Sequence, residues 1–156
     1  MRKVLAVGAA AILLAVGVVA FASASTNITT ATTFHVIAKH TQSQTIDLPP
    51  SGFSQGDEFV FHERLTNASG VVVGHDGGVC VTTFVNQAAH RAESQCTVTA
   101  WLDGRGQIAV QGLLSPPKSG VLAVNGGTGI FQNARGQVLV KFISNSSESL
   151  TFELIP

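Results

Sequence analysis

The chain has 156 residues, no formal net charge and a charged content of only 12%, about half the usual share for a soluble domain. With 45% hydrophobic residues it is too apolar to remain disordered, and without an excess of Lys and Arg it lacks the basic surface that nucleic acid or an anionic membrane attracts.

Arg2 and Lys3 precede an apolar run, 4–21, and Ala22-Ser23-Ala24 follows with small residues. This is the three-part plan of a secretory signal peptide, with cleavage expected after Ala24; the alternative is an uncleaved anchor, since a run of this length just spans a bilayer. Cleavage would leave seven Lys and Arg against nine Asp and Glu. The expected organisation is a signal peptide over 1–24, a loose Thr-rich lead over 25–32 and one domain over 33–156, exported and without further membrane contact.

Beyond the lead, short β-branched or alternating runs cover 33–39, 58–65, 71–74, 78–85, 93–102, 107–114, 120–124, 138–143 and 150–155. Turn chemistry separates them, at Pro49-Pro50-Ser51-Gly52, Asn67-Ala68-Ser69-Gly70, His75-Asp76-Gly77, Asp103-Gly104-Arg105-Gly106, Ser115-Pro116-Pro117 and Asn145-Ser146-Ser147. Only 128–134 has room for a helical turn. Up to nine strands at this spacing imply an all-β domain, an up-and-down barrel or a sandwich.

Cys80 and Cys96 are the only cysteines, and in an exported protein an even pair predicts a disulfide. The runs on either side read as a hairpin across 86–92. Pairing Cys80 with Cys96 then sets Thr82 opposite Ser94 and Phe84 opposite Ala92. Closing a loop of this length stabilises a fold by about 3 kcal/mol on the chain-entropy model.

Alternation assigns faces. Phe59, Phe61, Glu63 and Leu65 form the apolar set of their run, with Glu58, His62 and Arg64 outside; Ile108, Val110, Gly112 and Leu114, then Val138, Val140 and Phe142, and finally Leu150, Phe152 and Leu154 form the others. The interior is expected to be hydrocarbon with one carboxylate, Glu63.

Gly126-Gly127-Thr128-Gly129-Ile130-Phe131, followed by Ala134-Arg135-Gly136, resembles the dirigent signature GGTGxFxxARG, while Gln107 to Gly112 and Gly136-Gln137-Val138 resemble allene oxide cyclases. Gly56-Asp57 on to Leu65 matches the cyclase GDxxxFxxxL opening, and Gly74, Gly78, Cys80 and Val81 match GxxxGxCV. The resemblance implies a small antiparallel calycin-type β-barrel with an apolar ligand pocket, and trimers packed through barrel walls. It places the family's pocket cysteine on Cys80, a pocket asparagine on Glu63, the pocket tyrosine on Leu114, and first-strand pocket residues near Val36 and Ala38. The chain has no tyrosine, so allene oxide cyclisation itself is not expected. The ligand pocket is expected to draw on Val36, Phe59, Phe61, Cys80, Val110, Leu114 and Phe142.

Two readings of Glu63 stand at this point. Inside an apolar barrel, desolvation would keep it protonated and make it a general acid, the one candidate catalytic residue; at the rim it would be solvated or paired with Arg64 or Arg135. The five histidines show no i,i+4 pair and no Cys-flanked spacing, so no metal is expected, nor any organic cofactor. The Gly126-Gly127-Thr128-Gly129 stretch lacks the lysine and strand context of a phosphate loop, and no nucleophile elbow occurs. What remains is a secreted barrel that binds a lipophilic molecule and guides its cyclisation, isomerisation or coupling, or a non-catalytic carrier or structural protein on the same scaffold. The leucine in place of the pocket tyrosine favours the second.

Overall fold

A computed structural model describes residues 30–115 and 118–155; the expected signal segment over 1–24, most of the expected lead, Pro116-Pro117 and Pro156 lie outside them. Eight strands run in chain order: β1 (Thr32–Ile46), β2 (Glu58–Thr66), β3 (Val72–Asn86), β4 (Arg91–Leu102), β5 (Gly106–Leu114), β6 (Gly120–Gly127), β7 (Arg135–Ser144) and β8 (Ser147–Ile155). Each pairs antiparallel with the next, and β1 pairs with β8, closing the barrel. Closure gives each strand a paired neighbour on both sides, so the described sheet has no edge strand.

Three features differ from the sequence expectations. Thr32, placed in the lead, already pairs with Leu154. The runs at 71–74 and 78–85 are one strand, because His75-Asp76-Gly77 continues the ladder opposite Arg64, Glu63 and His62. Its glycines serve packing instead of turning: a Cβ on Gly78 would meet the Thr97 carbonyl, the Val98 methyl and the Phe61 ring, all within 3.0 Å. Finally, the β3–β4 register holds at Cys80↔Cys96 and Thr82↔Ser94, but a bulge then sets Phe84 opposite Glu93 and Val85 opposite Ala92. The extra residue, Thr83, reverses the alternation. Val85 consequently faces inward, and Phe84 is exposed.

Alternation elsewhere follows the expected faces. Leu65, Ile108, Val138, Phe152 and Leu154 are each at most 1% exposed, while their strand neighbours Arg64, Leu139 and Glu153 are not buried. Burying each such side chain contributes about 1.5–3 kcal/mol, so the hydrocarbon stripe of every strand drives closure.

One end of the barrel is plugged. Phe34 stacks on Phe152 with centroids 4.7 Å apart and meets Phe131 at 6.1 Å, and the Arg105 guanidinium lies over Phe34 and Phe131 at 5.1 and 4.9 Å. The glycine-rich motif builds this plug. Gly129, at φ +63°, opens the 3₁₀ turn Gly129–Phe131 against the Arg105 carbonyl, where a Cβ would collide. The turn carries Phe131 into the end of the barrel, where it is 1% exposed.

Candidate functional site

The opposite end is open. A cavity of about 860 Å³ runs inward from the β1–β2 loop, the β3–β4 turn and the β7–β8 turn, whose Phe53, His90 and Asn145 stand at its mouth. This is ample for one small molecule, as expected of an eight-stranded barrel. The β1–β2 loop is held by Asp57, the Asp of the Gly56-Asp57 motif. Its carboxylate accepts hydrogen bonds from the Leu48 and Ser54 amides at 3.0 and 2.7 Å and from the Ser54 hydroxyl at 3.2 Å. The Ser54 and Leu48 amides hold this carboxyl below its ordinary value.

Phe59, Phe61, Glu63, Cys80, Val110, Leu114 and Phe142 all line the cavity. Val36 is not among the lining residues: it is 3% exposed within the hydrocarbon packing, opposite Leu150. The physical reason is its place on β1, two inward positions before His40 and next to the level of Phe34, where phenyl rings fill the interior. Cys80 is joined to Cys96, both facing the cavity, so this position offers a disulfide wall and no thiol.

Glu63 is not at the rim. It is 4% exposed, and Arg64 points to the outer face. Register explains its company: His40 lies opposite Glu63 across β1–β2, and Asp76 lies opposite Glu63 across β2–β3. Directly opposed residues share a face, so all three point inward. Glu148 joins them from β8, where it stands opposite Ala38. A bulge at Thr41 follows His40 immediately; its hydroxyl donates to the His62 carbonyl at 2.9 Å and lies 2.8 Å from His62 Nδ1.

His40 Nε2 is 3.0 Å from Glu63 Oε1 and 3.5 Å from Glu148 Oε1. The closer approach does not have hydrogen-bond geometry: Glu63 Oε1, Asp76 Oδ1 and Glu148 Oε2 are buried without a hydrogen-bond partner. Burial, then the nearby Asp76 charge, pushes the Glu63 carboxyl up to about 11, with hydrogen bonding to Glu148, the Glu148 charge and hydrogen bonding to Asp76 adding to the rise. Burial also raises Asp76, to about 7, against the hydrogen bond from Glu63, which lowers it. The cluster thus brings three carboxyls and an imidazole together, with Glu63 and Asp76 as its proton-sharing pair. Around it the cavity is aromatic: the Phe59 and Phe61 rings are 5.7 Å apart, and the His40 ring lies 5.6 and 6.1 Å from them.

Sequence reasoning found Glu63 and missed its partners. Asp76 was read as turn chemistry, and His40 and Glu148 carry no local motif because their meeting depends on closure between β1 and β8. The Asn67 to Gly70 turn did not reveal the pairing either: its register, Thr66 opposite Val72, would set His75 opposite Glu63, and a bulge between Leu65 and Thr66 brings Asp76 there instead.

Among solved structures, the chain is similar to a pyocyanin demethylase, with 28% identity, a TM-score of 0.72, and coverage of 79% of this chain and 99% of that one. It is also similar in fold to an exo-specific intermolecular Diels-Alderase, at 11% identity and TM-score 0.67 over 80% of this chain and 96% of that one. A pterocarpan synthase dirigent protein aligns at 17% identity and TM-score 0.60 over 80% and 87%. No curated protein matches the sequence. The model of the allene oxide cyclase barrel-like domain matches residues 36–153, the span that holds the barrel, the motif glycines and the polar cluster, and the chain therefore belongs to that family.

Proposed function

We propose that the protein is exported, binds a lipophilic small molecule in the barrel and guides its isomerisation, cyclisation or coupling. The observation that carries this reading is the placement of Glu63, Asp76, Glu148 and His40 in the wall of an otherwise hydrocarbon and aromatic cavity. Buried polar atoms without partners cost about 1–3 kcal/mol each, a cost that a packing role does not explain and that a ligand's polar group would relieve. The apolar walls confine the ligand's shape. The protonated Glu63 supplies a hydrogen bond or a proton to it, and the adjoining carboxylates accept one. Similarity to a demethylase at 28% identity supports small-molecule chemistry, while the lower-identity neighbours support the scaffold alone. Export is supported by the 1–24 segment and by the cavity disulfide.

Carriage without turnover is the second reading, favoured by Leu114 at the position of the family's tyrosine. A panel of fluorescent fatty acids and polyphenols tests the shared part: micromolar binding is expected, weakened at least tenfold by Leu114→Trp, which fills the cavity. No binding across the panel would refute an open pocket. Product analysis of extracts incubated with wild type and Glu63→Gln then separates the readings, because a carrier leaves the bound molecule unchanged in both.

A further inference from the structure

We infer that His40, Glu63 and Glu148 form a binding site for a divalent transition-metal ion, most suitably Zn²⁺. The three donor atoms lie within 4.8 Å of one another. Zinc holds nitrogen and oxygen donors at about 2.0–2.2 Å in a tetrahedron, which sets neighbouring donors about 3.3 Å apart. The observed separations from His40 Nε2, 3.0 Å to Glu63 and 3.5 Å to Glu148, bracket that span. Donor identity agrees, since one imidazole with two carboxylates suits Zn²⁺, and Zn²⁺ outcompetes Mn²⁺ and Fe²⁺ at such sites.

A cluster of acids alone would not suffice. The independent observation is Asp76, 1% exposed, facing the same cavity with Oδ1 unpartnered. It is not one of the three donors but stands opposite Glu63, where it would accept a hydrogen bond from a water on the ion. The orphaned Oε1 of Glu63 is also accounted for: a 3.0 Å contact without hydrogen-bond geometry is what two ligands of one ion present. Three protein donors leave a fourth position, toward the cavity, as in zinc sites that bind water or substrate. The donors come from β1, β2 and β8, adjacent in the closed wall, so the barrel itself holds them in place.

The site takes Glu63 as a carboxylate, so the metal-bound cavity and the protonated Glu63 of the metal-free cavity are alternative states; the site does not rest on the proposed reaction, and the two can fail separately. Chelator-treated protein is titrated with ZnCl₂ by calorimetry and with CoCl₂ by visible spectroscopy. One ion per chain at micromolar affinity or tighter is expected, with intense four-coordinate Co²⁺ bands. His40→Ala and Glu148→Gln should each weaken binding at least tenfold, whereas His62→Ala, on the outer wall, should leave it unchanged. Absence of binding at millimolar metal overturns the site, and so does binding lost in His62→Ala but retained in the cavity variants. Should the cavity variants fail to fold, the wild-type Co²⁺ spectrum and stoichiometry decide it. Fluorescent-ligand binding to the metal-free protein reports on the pocket separately.

Discussion

Asp76 stands directly opposite Glu63 across the β2–β3 ladder, and both side chains face the same apolar cavity. Burial raises both acids, from ordinary values of 4.5 and 3.8 to about 11 for Glu63 and about 7 for Asp76. In the metal-free protein the folded state then keeps protons that the unfolded chain releases. Stability from this source is fully present below about pH 4 and is lost as pH rises, through 7 for Asp76 and toward 11 for Glu63. Glu63→Gln keeps the shape and the donor while removing the titration. Urea denaturation should find this variant more stable than wild type at pH 8 by several kcal/mol, and nearly equal at pH 4. An unchanged pH slope would contradict the proton-sharing cluster.

Asp57 has the opposite sign. Its carboxylate accepts two backbone amides and a hydroxyl, and its folded value lies below the ordinary 3.8. Its contribution is present above that ordinary value and is lost as pH falls through the folded one. Asp57→Asn should therefore lower Tm at neutral pH, and its acid limb below about pH 4 should be shallower than that of wild type. Because Asp57 ties down the β1–β2 loop at the cavity mouth, the variant should also release a bound fluorescent ligand faster in stopped-flow displacement.

The Cys80–Cys96 bridge joins β3 and β4 in the cavity wall. Intact mass should rise by about 2 Da on reduction, and thiol reagents should leave the unreduced protein unlabelled. Cys80→Ser should cost about 2–5 kcal/mol in denaturant unfolding, the usual loss for a native bridge in a small domain. Two labelled thiols in the unreduced protein would refute the bridge.

Local information carried the fold further than it carried the site. The faces of β2, β5, β7 and β8 follow from period-two alternation, and Cys80 with Thr82 gave the β3–β4 register directly. What escaped was non-local. Phe84 moved because the Thr83 bulge adds one residue that no propensity marks. Asp76 was hidden because Gly74, Gly77 and Gly78 look like turn chemistry, although Gly78 is there to admit the Phe61 ring. His40 and Glu148 meet only when β1 closes on β8, a pairing between opposite ends of the chain, so the polar cluster depends on closure even though Glu63 itself could be named in advance.

The outer wall carries the last expectation. Val121 and Leu139 stand opposite each other across β6–β7 and are 52% and 37% exposed. Leu113 on β5 and Ile155 on β8 are 55% and 51% exposed, while Ile37 is half-buried. Apolar groups of this size on adjacent strands favour wall-to-wall packing, the arrangement implied by the family resemblance, over full hydration. Light scattering at micromolar concentration should give a multiple of the single-chain mass. Val121→Glu with Leu139→Glu should return it to one chain without loss of the β-sheet circular dichroism, because neither side chain reaches the interior. A wild-type mass of one chain, unchanged on concentration, would remove the association and leave the barrel intact.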